Sequence, residues 1–470
     1  MRRARGVLCA VLLLTAVLQP STALPADQAA DDALIKKAHA IHDKVIALDT
    51  HVDIEPGDFT AEQNYTQPLE GQVDLPKMTE GGLDAVFMVV YVGQPSLQTT
   101  PDAFEPSGYE RAYTSAIEKF DAIHRLTEKI APDKVQLALT AADVRRIHAS
   151  GRKVALIGVE NAYPIGTDLT RVKEFYDRGA RYMSLAHNGH SQLSDSNTGE
   201  TEGWKWNGLS PLGKQVIAEL NRLGIMIDVS HPSKASMMQA LEMSKAPIIA
   251  SHSAARALCN HSRNLDDEQL LALKKNGGVV QTVAFANYIK STDTAERAAA
   301  LDALRKEFGL PAGTPLGGRG GRGGRGGRAA VQPGPGAAPG AAAGRGQARG
   351  RGQGALAQLT PERRAELDKR IEDVNAIYPP LPRATVKDFV DHIDYIVKKI
   401  GIDHVGISSD FDGGGGVKGW NGADETFSVT LELVRRGYTE EQIGKIWGGN
   451  LLRVMDDVQR VGRDIQAGRK

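Results

Sequence analysis

Five widely separated side chains offer the donor atoms of a metal centre: His51, Asp53, Glu160, His231 and His252. Each stands at the end of an apolar, β-branched run. Alternation along a strand places His51 and Asp53 on one face, so both can ligate one cation. A lone histidine at a strand end is more often a hydrogen-bonded structural residue. A ring of five such groups is different, because buried Asp, Glu and His are costly unless paired or bound to metal. Nitrogen and oxygen donors of this kind suit zinc, and less exclusively manganese, cobalt or iron. They are too many for one tetrahedral ion. Two ions about 3.5–4 Å apart, sharing a carboxylate and a hydroxide, would use them all.

Two more such residues close the fourth and eighth runs, His187 and the Asp410-Phe411-Asp412 triplet. Either aspartate of the triplet could be the working carboxylate, and the segment could equally be only a turn. The glycines 413–416 that follow lack a phosphate-loop lysine and serine, which argues against a nucleotide site. Arg263, read from residue types alone, pairs with Asp266 or Asp267 at the surface. The remaining histidines read as mostly surface or supporting residues, with His190 the one closest to a candidate ligand.

The elements that would carry these groups follow from periodicity. Apolar runs at 45–53, 85–92, 154–160, 182–188, 225–231, 247–253, 278–285 and 404–412 read as eight strands. Amphipathic stretches separate them, such as 211–223 with Leu212, Val216, Ile217, Leu220 and Leu223, and 266–275 behind a capping Asp266. This order predicts an α/β fold, a (β/α)8 TIM barrel, with catalytic groups at the C-terminal strand ends. Extra helices and one long Gly/Arg-rich insertion fall between the last two strands. A doubly wound open sheet is the structural alternative.

The chain has 470 residues, 41% hydrophobic and 24% charged, so a large core is available. Residues 1–23 read as a signal peptide: Arg2, Arg3 and Arg5, an apolar run over 6–18, then Ser21 and Ala23. That run is shorter than the roughly 20 residues that span a bilayer, and no later stretch qualifies. Of two cysteines, Cys9 leaves with the leader and Cys259 remains, so no internal disulfide is expected. These features predict a periplasmic or secreted protein without a membrane span or lipid anchor. Residues 24–470 then form a single domain, interrupted at 311–354 by a segment almost only of Gly, Arg, Ala, Pro and Gln that reads as disordered. The 57 basic and 57 acidic residues balance. Setting aside seven arginines of the insertion and three of the leader leaves an acidic body, which argues against nucleic acid as its main ligand. The insertion alone resembles arginine-glycine segments that bind RNA or anionic surfaces.

Several strings together resemble the renal or membrane dipeptidase family. They are Asp49-Thr50-His51-Val52-Asp53, Asp74-Leu75-Pro76, Gly158-Val159-Glu160, Leu185-Ala186-His187 and Asp228-Val229-Ser230-His231. Ser251-His252-Ser253, Ser262-Arg263-Asn264, Asp410-Phe411-Asp412-Gly413 and Asn450-Leu451-Leu452-Arg453-Val454 continue the series. The resemblance implies a dipeptidase with two Zn2+ per chain: His51 and Asp53 on one ion, His231 and His252 on the other, Glu160 bridging. It further implies that His187 and Arg263 contact the dipeptide substrate, that Asp410 handles protons, and that a homodimer is compatible with the fold. His187 would stabilise the oxyanion. Arg263 would pair with a free C-terminal carboxylate. Tyr288, after the seventh strand, would line the pocket. Val52 departs from the Asn of the familiar vertebrate members, and no aromatic residue follows Asp53 closely; both bear on side-chain preference. Another binuclear barrel hydrolase, acting on N-acyl amino acids or lactones, is the alternative enzyme.

Overall fold

The computed structural model describes residues 26–469, apart from Ser96, Gln98, Thr99 and most of 311–358, where Thr314, Leu316 and Leu356 are described. The leader read at 1–23 lies outside the described residues, as does nearly all of the insertion read at 311–354. Leu316, within that range, is buried against Leu301, Leu304 and Leu367.

Nine parallel strands form the sheet: β1 (Leu48–Asp53), β2 (Ala85–Tyr91), β3 (Val135–Leu137), β4 (Lys153–Glu160), β5 (Ala180–Ser184), β6 (Met226–Asp228), β7 (Ile249–Ser253), β8 (Val279–Val283) and β9 (Val405–Ser408). Their order is β1-β2-β4-β5-β6-β7-β8-β9, with β3 added beside β4. The ends meet, which rules out the open sheet. Asp53 N donates to Phe411 O at 2.9 Å, and Ser409 N donates to Asp49 Oδ1 at 2.9 Å. Strands buried on both faces are nearly all apolar, as parallel barrel strands should be.

β1, β4 and β7 end where the apolar runs end, but β2, β5, β6, β8 and β9 stop short of them. β6 stops at Asp228 because that carboxylate accepts Ser230 N at 3.1 Å and turns the chain out of the ladder. His231 and His187 therefore stand on loops rather than within strands. β3 escapes sequence reading because three residues carry too little pattern.

The helices begin and end where their sequences direct. Pro211–Leu223 starts at Ser210, whose side chain accepts from Gly213 N, and ends at Gly224 in the left-handed region. Asp267–Asn276 carries a capping box between Asp266 and Gln269. Between β8 and β9, the helices Ala295–Glu307 and Pro361–Ile377 pack on each other around their own small cluster, separate from the barrel core. Helix Val386–Ile400 then covers the barrel with Phe389, Ile393, Ile396 and Ile400 buried.

Candidate metal centre

The candidate ligands converge at the C-terminal mouth. Glu160, last residue of β4, turns its two oxygens in different directions. Oε2 lies 3.7 Å from His51 Nε2; Oε1 lies 2.8 Å from His231 Nε2 and 3.3 Å from His252 Nε2. His51 Nε2 is also 3.8 Å from Asp53 Oδ2. Donor atoms of three groups lie within 4.8 Å of one another: His51, Glu160 and His252; Glu160, His187 and His231; His51, Asp53 and Asp410. His187 thus stands among the possible ligands.

Burial sets the electrostatics. It would by itself lower the pKa of His51, but the Glu160 carboxylate, with Asp410 and Asp53, outweighs it and pushes the value to about 10. Burial lowers His231 and His252 well below the ordinary imidazole value, with Arg263 adding to both. Asp410 is driven up to about 8 by burial, with Asp53 and Glu160 adding repulsion and His51 opposing. A pocket so closed to water disfavours unpaired charge of either sign. Three carboxylates interleaved with imidazoles whose Nε2 atoms face one another fit divalent cations of the zinc type.

The backbone is arranged for close approach. Asp410 and Asp412 have φ +58° and +62°, in the left-handed region that non-glycine residues seldom occupy. A Cβ at Gly413 would collide with the carboxylates of both Asp53 and Asp410. The glycine run therefore lets the chain pass over the acidic groups. Asp412 faces elsewhere: its Oδ1 accepts Gln72 N at 2.7 Å and its own N–H donates to Gln72 Oε1 at 2.8 Å. Of the two aspartates, only Asp410 points to the centre.

Arg263 is not a surface residue. It is 2% exposed, and its guanidinium donates to Ser230 O and, at 3.2 Å, to His252 O. The acids that residue types favoured as its partners belong to lysines: Asp266 to Lys234 at 2.6 Å, Asp267 to Lys399 at 2.6 Å. Tyr288, in the short helix Ala286–Ile289, stacks on Phe285 and meets the tilted ring of His261, its ring centroid 5.5 Å from the Arg263 guanidinium carbon. His190 shapes the following loop instead, accepting Ser196 N at 3.1 Å with its other nitrogen 2.8 Å from Gly203 O. His42 and His392 are buried structural residues rather than surface ones, bonded to Gly81 O and Ile289 O.

Residue types did not single out the groups behind the ligands. Tyr182 OH is 3.0 Å from His51 Nδ1, and Tyr91 OH is 3.0 Å from His187 Nδ1. Ser251 Oγ is 2.7 Å from His252 Nδ1. Asp49 Oδ1 accepts the backbone of both His51 and Ser409, tying the first ligand strand to the strand before Asp410.

Comparison with known proteins agrees with this geometry. Dipeptidase aclJ of Aspergillus oryzae is 28% identical over 407 residues, covering 86% of this chain and 74% of that protein. Dipeptidase tcpJ of Claviceps purpurea is 28% identical over 416 residues, 88% of this chain and 75% of that one. The crystal structure of the probable dipeptidase PvdM from Pseudomonas aeruginosa superposes with a TM-score of 0.71 at 31% identity, over 92% of this chain and 99% of that one. The model of the membrane dipeptidases, peptidase family M19, matches residues 35–469, and the chain belongs to that family of metallo-dipeptidases.

Proposed function

We propose that this chain is an exported dipeptidase that hydrolyses L-L and L-D dipeptides bearing a free C-terminal carboxylate, at a centre of two zinc ions. The observation that carries the reading is the split of Glu160, one oxygen toward His51 and the other toward His231 and His252. A carboxylate so placed could serve both ligand sets, His51 with Asp53 and His231 with His252, if each held a cation.

The ions, when bound, supply Lewis acidity toward the scissile carbonyl and make water a nucleophile near neutral pH. The protein's own groups do the rest. Asp410, whose carboxylate stands beside His51 and Asp53, can accept the proton that the attacking water gives up and pass it to the leaving amine. His187, held by Tyr91, directs a ring nitrogen at the space beside His231 where an oxyanion would form. Arg263 supports the restriction to short substrates. Its guanidinium is buried with no ion pair among the described residues, and Nε has no hydrogen-bond partner there. A buried arginine without a carboxylate is costly, and a substrate carboxylate would relieve it. Tyr288 forms the wall beside it.

Among the described residues no helix is long and apolar enough to cross a membrane. A substrate panel tests the reading: free dipeptides should turn over and their C-terminal amides should not. Equal rates on the amides, or faster hydrolysis of N-acyl amino acids or lactones, would replace it with the alternative hydrolase.

A further inference from the structure

The imidazoles of the centre are not held alike. His231 Nδ1 has no hydrogen-bond partner among the described residues. His252 Nδ1, by contrast, ends a chain of buried groups. Ser251 Oγ is 2.7 Å from it, and the same hydroxyl lies 2.8 Å from Asp228 Oδ2. Asp228 is fully buried, and its other oxygen is already committed, accepting Ser251 N at 2.8 Å and Ser230 N at 3.1 Å.

Counting protons along this chain fixes its polarity. A carboxylate can only accept, so the single hydroxyl proton of Ser251 goes to Asp228 Oδ2. The Ser251 oxygen is then left to accept, and its neighbour must be His252 Nδ1–H. In a neutral imidazole with the proton on Nδ1, Nε2 keeps the lone pair. That nitrogen faces Glu160 Oε1 at 3.3 Å and His231 Nε2 at 2.9 Å. We propose that Asp228 acts through Ser251 as a positioning residue that sets the tautomer of His252, presenting Nε2 as a metal donor. The inference rests on the functional reading above, in which His252 binds a cation.

The polarity can be reversed without changing shape. In Asp228→Asn the amide oxygen must stay where two backbone N–H groups point, so the NH2 replaces Oδ2 and donates to Ser251. The Ser251 proton then turns toward His252 Nδ1, and the imidazole proton moves to Nε2, where it blocks the cation. Asp228→Asn should therefore be worse than deleting the hydroxyl, although it is the smaller change. Removing the hydroxyl as well should relieve the block.

The test is zinc affinity of stripped protein, measured by competition with a chromophoric chelator, with circular dichroism to establish a common fold. Outer-shell changes commonly cost 10–100-fold in metal affinity. Ser251→Ala is expected to weaken one of the bound ions by about 10-fold and Asp228→Asn by about 100-fold or more. Ser251→Thr, which keeps the hydroxyl, should match the parent, and the double variant Asp228→Asn/Ser251→Ala should return to the Ser251→Ala level. Parent-like affinity in Asp228→Asn, or a double variant no tighter than Asp228→Asn, overturns the relay while leaving the metal centre intact. If Asp228→Asn does not fold, equal affinities in Ser251→Ala and Ser251→Thr overturn it alone. A parent protein that binds no zinc sinks the functional reading and the relay together.

Discussion

Gly158 lies beside Tyr182 in the pairing of β4 with β5, and the absence of its side chain is what lets the tyrosine ring pass beneath the metal centre. A Cβ at this position would lie 2.1 Å from the ring carbon that bears the hydroxyl and 2.5 Å from the phenolic oxygen. Carbon contacts are optimal at about 3.5–4.0 Å, so Gly158→Ala must move the ring by about 1.4 Å or more. Both residues are in the packed barrel core, and overpacking of this kind costs about 1–3 kcal/mol. The same shift breaks the 3.0 Å contact from Tyr182 OH to His51 Nδ1, since about 4 Å or more is no longer a hydrogen bond. Loss of that orienting bond should weaken metal binding by about 10–100-fold. Thermal unfolding of metal-free protein reads the first effect, and chelator competition reads the second. Tyr182→Phe separates them: it relieves no clash and adds none, so affinity should fall while stability changes by only about 1 kcal/mol. Gly158→Ala protein with parental melting and parental metal affinity would refute the reasoning.

His261, held down to about 4 by burial and by the nearby Arg263 and Arg256, is neutral in the folded chain where the unfolded chain protonates it. Between its unfolded value of 6.5 and about 4 the unfolded state binds the extra proton, so stability falls as pH drops through that window and the loss is complete below it. The shift corresponds to about 3 kcal/mol, reduced to about 1–2 kcal/mol by partial exposure. His261→Gln should flatten the acid limb of a stability-versus-pH curve by that amount, and an unchanged limb would count against the assignment. Leu367 is fully buried in the cluster that joins helices 295–307 and 361–377. Leu367→Ala should cost about 2–5 kcal/mol of local stability. Hydrogen exchange should rise in those two helices alone, with zinc content and turnover unchanged; a barrel that exchanges faster throughout would show that the helix pair is not a separate unit.

The barrel was legible because strands buried on both faces must be apolar along their whole length, and such runs stand out between amphipathic helices. The candidate ligands were legible for the opposite reason: His51, Glu160 and His252 are the wrong residues to bury unless something pairs with them. Strand ends were harder. Asp228 turns the chain by accepting the N–H group two residues ahead, a local device that an apolar run conceals. Arg263 was misplaced by residue types because its sequence neighbours are acidic, whereas Lys234 and Lys399 reach those acids from other helices. The choice of Asp410 over Asp412 depends on which way each side chain leaves a tight glycine-rich turn. Tyr91 and Tyr182 orient histidines far away in sequence and on or just after non-adjacent strands, so their role emerges only when the barrel closes and brings those strands face to face.

Stepwise addition of zinc to chelator-stripped protein, with dipeptide turnover followed at each step, addresses the paired-cation centre most directly. Turnover should be absent at the start and rise to a plateau that breaks at two equivalents per chain, in parent protein but not in His231→Ala. Full turnover in the stripped protein, or a plateau reached at one equivalent, would contradict it.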